Sequence, residues 1–184
     1  MTLEEWDALD EEIEGELVDG YLVEEEVPGF VHEIIVSWLA QVLGVWVNAR
    51  GGIAGASGVK YGLALGLGRK PDYSVFFAGH TPPGEGLVRI PPDIAVEIVS
   101  RSARDRRRDR IEKYGEYAQF GIPWYWIIDP RPRTLEVFAR GADGRYASAF
   151  AATSGPHDAV PGCPGLRLDL DELWGQVDRV ARPS

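Results

Sequence analysis

The stretch Pro91-Pro92-Asp93-Ile94-Ala95-Val96-Glu97-Ile98-Val99-Ser100 decides how the rest of the chain is read. Ile94, Ala95, Val96, Ile98 and Val99 make a short apolar run rich in β-branched residues, the pattern of a strand covered on both faces. One carboxylate, Glu97, interrupts it. An ionised acid is costly to bury unless it is paired, hydrogen-bonded or bound to a metal, so Glu97 is the first candidate for chemistry. A second segment repeats the theme, because Lys70-Pro71-Asp72 heads the apolar run Tyr73 to Phe77. If these two strands are neighbours in one sheet, Asp72 and Glu97 can converge on one divalent ion, Mg²⁺ or Mn²⁺, both of which take oxygen ligands. Asp93 sits four residues before Glu97, roughly 13 Å away along an extended strand, and reads as a polar strand start rather than a third ligand.

Outward from this centre the chain alternates helix and strand signals. Thr2-Leu3-Glu4-Glu5 fits a capping box and predicts a short first helix with Leu3, Trp6 and Leu9 facing inward. Glu16-Leu17-Val18, Asp19-Gly20 and Tyr21-Leu22-Val23 spell a hairpin with a tight primed turn. One long helix is expected over 30–49, with Val31, Ile34, Ile35, Trp38, Leu39, Val42 and Val45 at three-and-four spacing and almost no polar face after Glu33. His32 opens that helix, where a core or capping role and a functional role both stand. Glycine-punctuated strands follow near 53–57, 59–65 and 72–77, then a Pro- and Gly-rich loop over 79–92 holding His80, read as exposed. Beyond the central strand, Ile111, Tyr114, Tyr117, Ala118 and Phe120 mark a helix closed by Gly121. A buried strand over 124–128, strands near 135–139 and 146–152 around Asp143-Gly144, and a short strand and last helix within 166–180 complete the set.

At 184 residues and 45% hydrophobic, the chain suits one domain over 1–184. Cys163 stands alone, which excludes an intrachain disulfide, and the absence of a charged-then-apolar leader points to the cytoplasm. The run 34–47 contains Ser37 and Gln41 and falls short of the ~20 apolar residues of a membrane helix, so no membrane is expected. The formal net charge of -10 argues against a nucleic-acid partner until its distribution is read. Residues 1–49 hold 13 of the 29 acids and no Lys or Arg, which leaves 16 acids against all 19 basic residues and a net of +3 over 50–184. Within 101–113 there are seven basic residues and three acids, directly after the central strand. A solvated helix face with internal ion pairs explains that stretch as well as a phosphate-binding surface does.

Taken together, Glu16-Leu17-Val18-Asp19-Gly20, His32, Pro71-Asp72, Val96-Glu97-Ile98-Val99-Ser100, Asp109 with Lys113, and Tyr125-Trp126-Ile127-Ile128-Asp129-Pro130 resemble the Uma family of putative restriction endonucleases, within the PD-(D/E)xK nuclease superfamily. The resemblance implies an α/β fold with a restriction-endonuclease-like core, a central mixed β-sheet flanked by helices, preceded by the N-terminal helix and hairpin. It implies Mg²⁺ or Mn²⁺ held by Asp72, Glu97 and the backbone carbonyl of Ile98. The residue two after the acid, lysine in most of the superfamily, is Val99 here, and Lys113 on the following helix is nominated in its place. Asp109 and His32 become accessory groups, DNA the substrate, and a homodimer the means of cutting both strands. Arg101, Arg104, Arg106, Arg107 and Arg108 would grip flanking phosphates. Two rivals remain: a catalytically silent module of the same fold that binds DNA or a protein, and a scaffold in which Glu97 pairs with an arginine and Asp72 caps a turn.

Overall fold

The local signals at the N-terminus become structure as written. In the computed structural model, which describes residues 1–10, 13–24, 27–99 and 107–180, Thr2 Oγ1 accepts from the Glu5 N–H at 3.1 Å and Glu5 Oε2 accepts from the Thr2 N–H at 2.8 Å. This reciprocal cap starts α1 (Leu3–Asp7). Asp19 and Gly20, at φ 51° and 79°, make the turn between β1 (Glu16–Val18) and β2 (Tyr21–Val23), because two successive positive φ angles match the twist of a hairpin.

The long helix α2 (Phe30–Asn48) contains an 18-residue window of mean hydropathy 1.6 and is long and apolar enough to cross a membrane by length and composition. The expectation that it falls short therefore does not hold. Its apolar side is taken up inside the protein, where Ile35, Trp38, Leu39, Leu43 and Val47 join the largest core. A π-helical stretch, Ala40–Gly44, widens the helix where it crosses the sheet, and a Cβ at Gly44 would lie 2.7 Å from the Tyr73 hydroxyl. Glycine lets the helix approach that ring.

Next come β3 (Ile53–Ala56), β4 (Tyr61–Ala64), β5 (Leu67–Arg69), β6 (Tyr73–Phe76) and β7 (Ile94–Ile98). The strand expected over 59–65 is β4, while β5 is an unexpected strand formed where the chain folds back at Leu65-Gly66, with Gly66 at φ 70°. A π-helical turn, Arg108–Glu112, then leads into α3 (Lys113–Phe120), which ends at Gly121 in the left-handed conformation. The chain finishes with β8 (Trp124–Asp129), β9 (Thr134–Arg140), β10 (Tyr146–Ala152), the short pair β11 (Pro156–His157) and β12 (Leu168–Asp169), and α4 (Leu170–Val177).

Six strands form the central sheet in the order β10-β9-β8-β7-β6-β3, in which β7 and β8 are parallel and every other neighbour is antiparallel. The parallel pair needs a crossover, and α3 lies in it. Helices α2 and α4 cover one face, against Ile94, Val96, Ile98, Trp126 and Ile128. Helix α3 covers the other, with Tyr117 and Ala118 against Ala95, Val99, Tyr125 and Ile127. All five residues of β7 are buried for that reason, Glu97 included, as a run apolar at every other position predicts.

A second sheet, β2-β1-β5-β4, stands beside the first. Trp6 of α1 packs on it and donates its indole N–H to Gly15 O at 3.2 Å. A Cβ at Gly68 would fall 2.3 Å from the Trp6 ring, so this position admits no side chain while the indole is docked.

Candidate active site

The segment Arg69-Lys70-Pro71-Asp72 carries the chain from the small sheet into the large one, and the polar centre of the protein forms at this seam. In β6 and β7, Tyr73 faces Val96, so continuing the register by one pair sets Asp72 across from Glu97. Residues directly opposite in an antiparallel pair point to the same side of a sheet, with Cβ atoms about 4.5–5.5 Å apart. Asp72 also reaches the neighbouring strand through its carboxylate, since Oδ2 accepts the Ile98 N–H at 2.7 Å. Its other oxygen, Oδ1, lies 2.9 Å from His32 Nε2, presented by the first turn of α2. The His32 Nδ1 is 3.1 Å from Glu33.

Glu97 is only 2% exposed and uses both oxygens: Oε2 takes the Lys113 ammonium at 2.9 Å and Oε1 takes the Tyr117 hydroxyl at 2.6 Å. Lys113 in turn has three carboxylates about its nitrogen, Glu97 at 2.9 Å, Glu16 Oε1 at 3.2 Å and Asp109 Oδ1 at 3.6 Å. The π-helical turn before α3 accompanies this arrangement. Arg108, Asp109 and Lys113 are turned inward, while Ile111, expected on the apolar stripe of the helix, is 63% exposed. Such wide turns recur where a helix must aim side chains at a site. Asp109 and Lys113 are therefore a buried pair rather than the exposed surface pair their four-residue spacing also allows.

The electrostatics follow from burial and proximity. Burial pushes the Glu97 carboxyl well above its ordinary range; Lys113 opposes the rise, and Asp72, Asp109 and Glu16 add to it. Burial would strip the proton from Lys113, yet Glu16, Glu97 and Asp109 outweigh it and hold the ammonium charged well above an ordinary lysine. For Glu16, burial is overcome by Lys113 and Arg69, so its carboxyl is held below the usual range. His32 behaves likewise in the opposite charge sense: burial favours the neutral ring, but the hydrogen bond and charge of Asp72 prevail and raise its pKa.

The structure thus brings together Asp72, Glu97, Lys113, His32 and Asp109, and places the Ile98 amide against Asp72. It does not do the same for the five arginines as a group. Arg101, Arg104 and Arg106 lie outside the described residues, and Arg107 is exposed. Arg108 is buried with Nη1 3.9 Å from Glu16 Oε2, which removes it from the phosphate-gripping surface assigned to it, because its guanidinium is turned inward on the π-helical turn. The partner of Glu97 is a lysine, not the arginine of the scaffold reading. Three buried residues of this centre, Glu16, Arg69 and Tyr117, were not nominated from sequence as site residues, although Glu16 is a lone acid heading an apolar strand, much as Asp72 is. His80, read as exposed, is half-buried and lies 3.0 Å from Asp93, whose carboxylate also takes the Phe77 N–H at 2.7 Å. Among the described residues, no three His, Cys, Asp or Glu side chains converge as a metal-binding cluster.

Fold and site together define a mixed α/β protein in which a six-stranded sheet carries a buried acid–lysine centre beside an acid on the adjoining strand. The model of the Uma2 family, described as "Putative restriction endonuclease", matches residues 2–171, and the chain belongs to that family. Among solved structures, it is similar to one titled a putative nuclease belonging to DUF820 from Anabaena variabilis ATCC 29413, with a TM-score of 0.73 and 22% identity over 95% of this chain and 98% of that one. No curated protein matches the chain.

Proposed function

We propose that this chain is a metal-dependent endonuclease that hydrolyses phosphodiester bonds in DNA, on a restriction-endonuclease-like core. The observation that carries the reading is the register placing Asp72 opposite Glu97, with the Lys113 ammonium 2.9 Å from Glu97. The donor chemistry fits Mg²⁺ or Mn²⁺. Two carboxylates from adjacent strands and the Ile98 carbonyl would supply hard oxygen ligands, and Mg²⁺ in particular keeps several waters instead of demanding a full protein cage. The crowding of Asp72, Asp109 and Glu16 around a buried Glu97 also favours added positive charge.

When bound, that ion supplies Lewis acidity toward the scissile phosphate and an attacking water. The protein residues do the rest. Lys113, held fully charged, offsets negative charge that develops on the phosphate and does not serve as the proton acceptor. Asp72 is oriented by the Ile98 amide and His32, and Glu97 by Tyr117. Arg107, with Arg101, Arg104 and Arg106, supplies cations to neighbouring phosphates, which position a strand without reading its sequence. A cytoplasmic setting and a homodimer, one site for each strand, belong to the same reading.

Two observations favour a second reading, a silent module of this fold that binds DNA or a protein. Both Glu97 oxygens are already engaged by Lys113 and Tyr117, and valine stands at the superfamily's usual lysine position. The test is nicking of supercoiled plasmid and single-stranded DNA in Mg²⁺ or Mn²⁺ by the wild type, Asp72→Ala and Glu97→Ala. Cleavage by the wild type alone is expected. Equal nicking by all three would mark a contaminant, and no cleavage with a melting temperature indifferent to metal would select the silent module.

A further inference from the structure

Glu16 lies in the N-terminal hairpin, outside the large sheet, yet it is fully buried and touches the central lysine. Its two oxygens have separate duties. Oε2 takes Arg69 Nη1 at 2.7 Å, while Oε1 takes the Lys70 N–H at 3.0 Å and lies 3.2 Å from Lys113 Nζ. Arg69, itself fully buried, extends the arrangement with its remaining nitrogens, because Nε and Nη2 grip Glu116 at 2.7 and 2.8 Å. Glu116 stands three residues after Lys113 on α3, so one arginine ties the hairpin acid to the same helical turn that presents the lysine. The pairing of β1 with β5 makes this possible: Leu17 faces Gly68, and one further step sets Glu16 across from Arg69.

We infer that Glu16 is a positioning residue which, clamped by Arg69 and the Lys70 amide, aims the Lys113 ammonium at Glu97; this rests on the nuclease reading. An ammonium has three N–H groups, and its direction is set by what accepts them. Glu97 takes one at 2.9 Å, and the shorter of the other two contacts belongs to Glu16. The lysine stem has four rotatable carbons and no planar fork to fix the head group, so its placement depends on such anchors. The connection from the small sheet to the large one is short, with only Lys70, Pro71 and Asp72 between β5 and β6. Arg69 and Asp72 are three residues apart, and the acid anchoring the lysine is thereby held in register with the acid facing Glu97.

The test uses the full chain uniformly labelled with ¹⁵N-lysine. Only three lysines are present, so Lys60→Arg and Lys70→Arg assign the Lys113 Nζ signal. In the wild type this signal is expected to be protected from exchange, and in Glu16→Gln to shift and lose protection. On plasmid, Glu16→Gln lowers kcat about a hundredfold, the loss that misplacing a catalytic group by an ångström can bring, with KM nearly unchanged. Affinity for Mn²⁺ stays within about threefold, since Glu16 orients the lysine and binds no metal, and Glu16→Asp, which keeps the charge, restores part of kcat and of the protection. An unmoved Lys113 signal, or a tenfold loss of Mn²⁺ affinity, overturns the proposal. Should Glu16→Gln not fold, Glu16→Asp is measured alone, with the same signal shift expected; failure of both to fold makes Glu16 purely structural and overturns the proposal too. If the wild type cleaves nothing, the nuclease reading falls while the NMR and Mn²⁺ measurements still decide whether Glu16 directs Lys113.

Discussion

Lys113→Met should be far more damaging to stability than Glu97→Gln, although the two residues share one contact. The lysine faces carboxylates at 2.9, 3.2 and 3.6 Å. At an effective dielectric of about 20, each of these attractions is roughly 5 kcal/mol, set against several kcal/mol of desolvation per buried ion. Methionine fills much of the same volume but leaves Glu16, Glu97 and Asp109 without their common cation, and stranding buried charge in this way costs about 3–5 kcal/mol. For a chain of this length that is a fall in Tm of roughly 6–20 °C, at about 2–4 °C per kcal/mol. Glu97→Gln strands nothing comparable. Lys113 keeps Glu16 and Asp109, the Tyr117 hydroxyl can still donate to an amide oxygen, and the buried charge that Asp72, Asp109 and Glu16 repel is gone. Its cost should stay within about 1 kcal/mol. The assay is urea unfolding followed by tryptophan fluorescence, repeated as pH is lowered. In Lys113→Met the deficit should shrink on acidification, because native carboxylates whose pKa is raised take up protons before their unfolded counterparts and stability then rises as pH falls. Equal losses for both variants, or a deficit that grows in acid, would refute the account of three acids sharing one cation.

Three further outcomes follow from other contacts. Mn²⁺ at a hundred times its Kd should stabilise the wild type by about 2.7 kcal/mol and leave Asp72→Asn and Glu97→Gln unmoved, as read by thermal shift. Glu16, whose carboxyl is held below its ordinary 4.5, contributes stability that is present above that pH and lost as pH falls through the lower folded value; the stability gap between wild type and Glu16→Gln should therefore close on acidification, measured by denaturant titration at stepped pH. Gly68→Ala drives a methyl group into the Trp6 ring and should cost about 1–3 kcal/mol, with Trp6 fluorescence shifted as α1 is displaced.

Most of the fold was legible because its cues are local. The apolar run of β7, broken only at Glu97, the Asp19-Gly20 turn, the cap at Thr2 and the Gly121 stop each act through a few neighbouring residues, and each appears where the sequence places it. The misreadings share a different cause. Strand β5 was missed, because this three-residue strand exists by pairing with β1 and under Trp6, contacts made by residues some fifty or sixty positions away. Ile111 is exposed because a π-helical turn changes which residues of that helix face inward, and an apolar stripe drawn at ordinary helical spacing does not register the change. Helix α2 reaches the length and hydropathy of a membrane span, and only its packing against the sheet gives those apolar residues another destination.

The centre divides along the same line. Asp72 and Glu97 were legible as single charges at the edge of, or inside, apolar strands, since that pattern is costly without a purpose. Glu16 carries the same mark, one acid ahead of Leu17-Val18, but a three-residue strand in a hairpin is ordinarily open to water, so nothing local says it is buried. Its burial depends on Arg69, whose own partners come from β1 and α3. Sequence thus exposes the acids that a strand buries by itself and conceals those that a remote cation buries. The arginines invert the rule: Arg108 reads as one more member of a basic run, yet it is the one among the described members of the nominated five that is turned inward, which leaves Arg107 facing out. Charge-reversal at Arg107 should accordingly weaken DNA binding with the fold intact, whereas Arg108→Glu, set against Glu16 in the interior, should unfold the protein before any affinity can be lost. Circular dichroism beside a binding titration separates the two, and an Arg108→Glu protein that folds normally but loses DNA would return that residue to the surface.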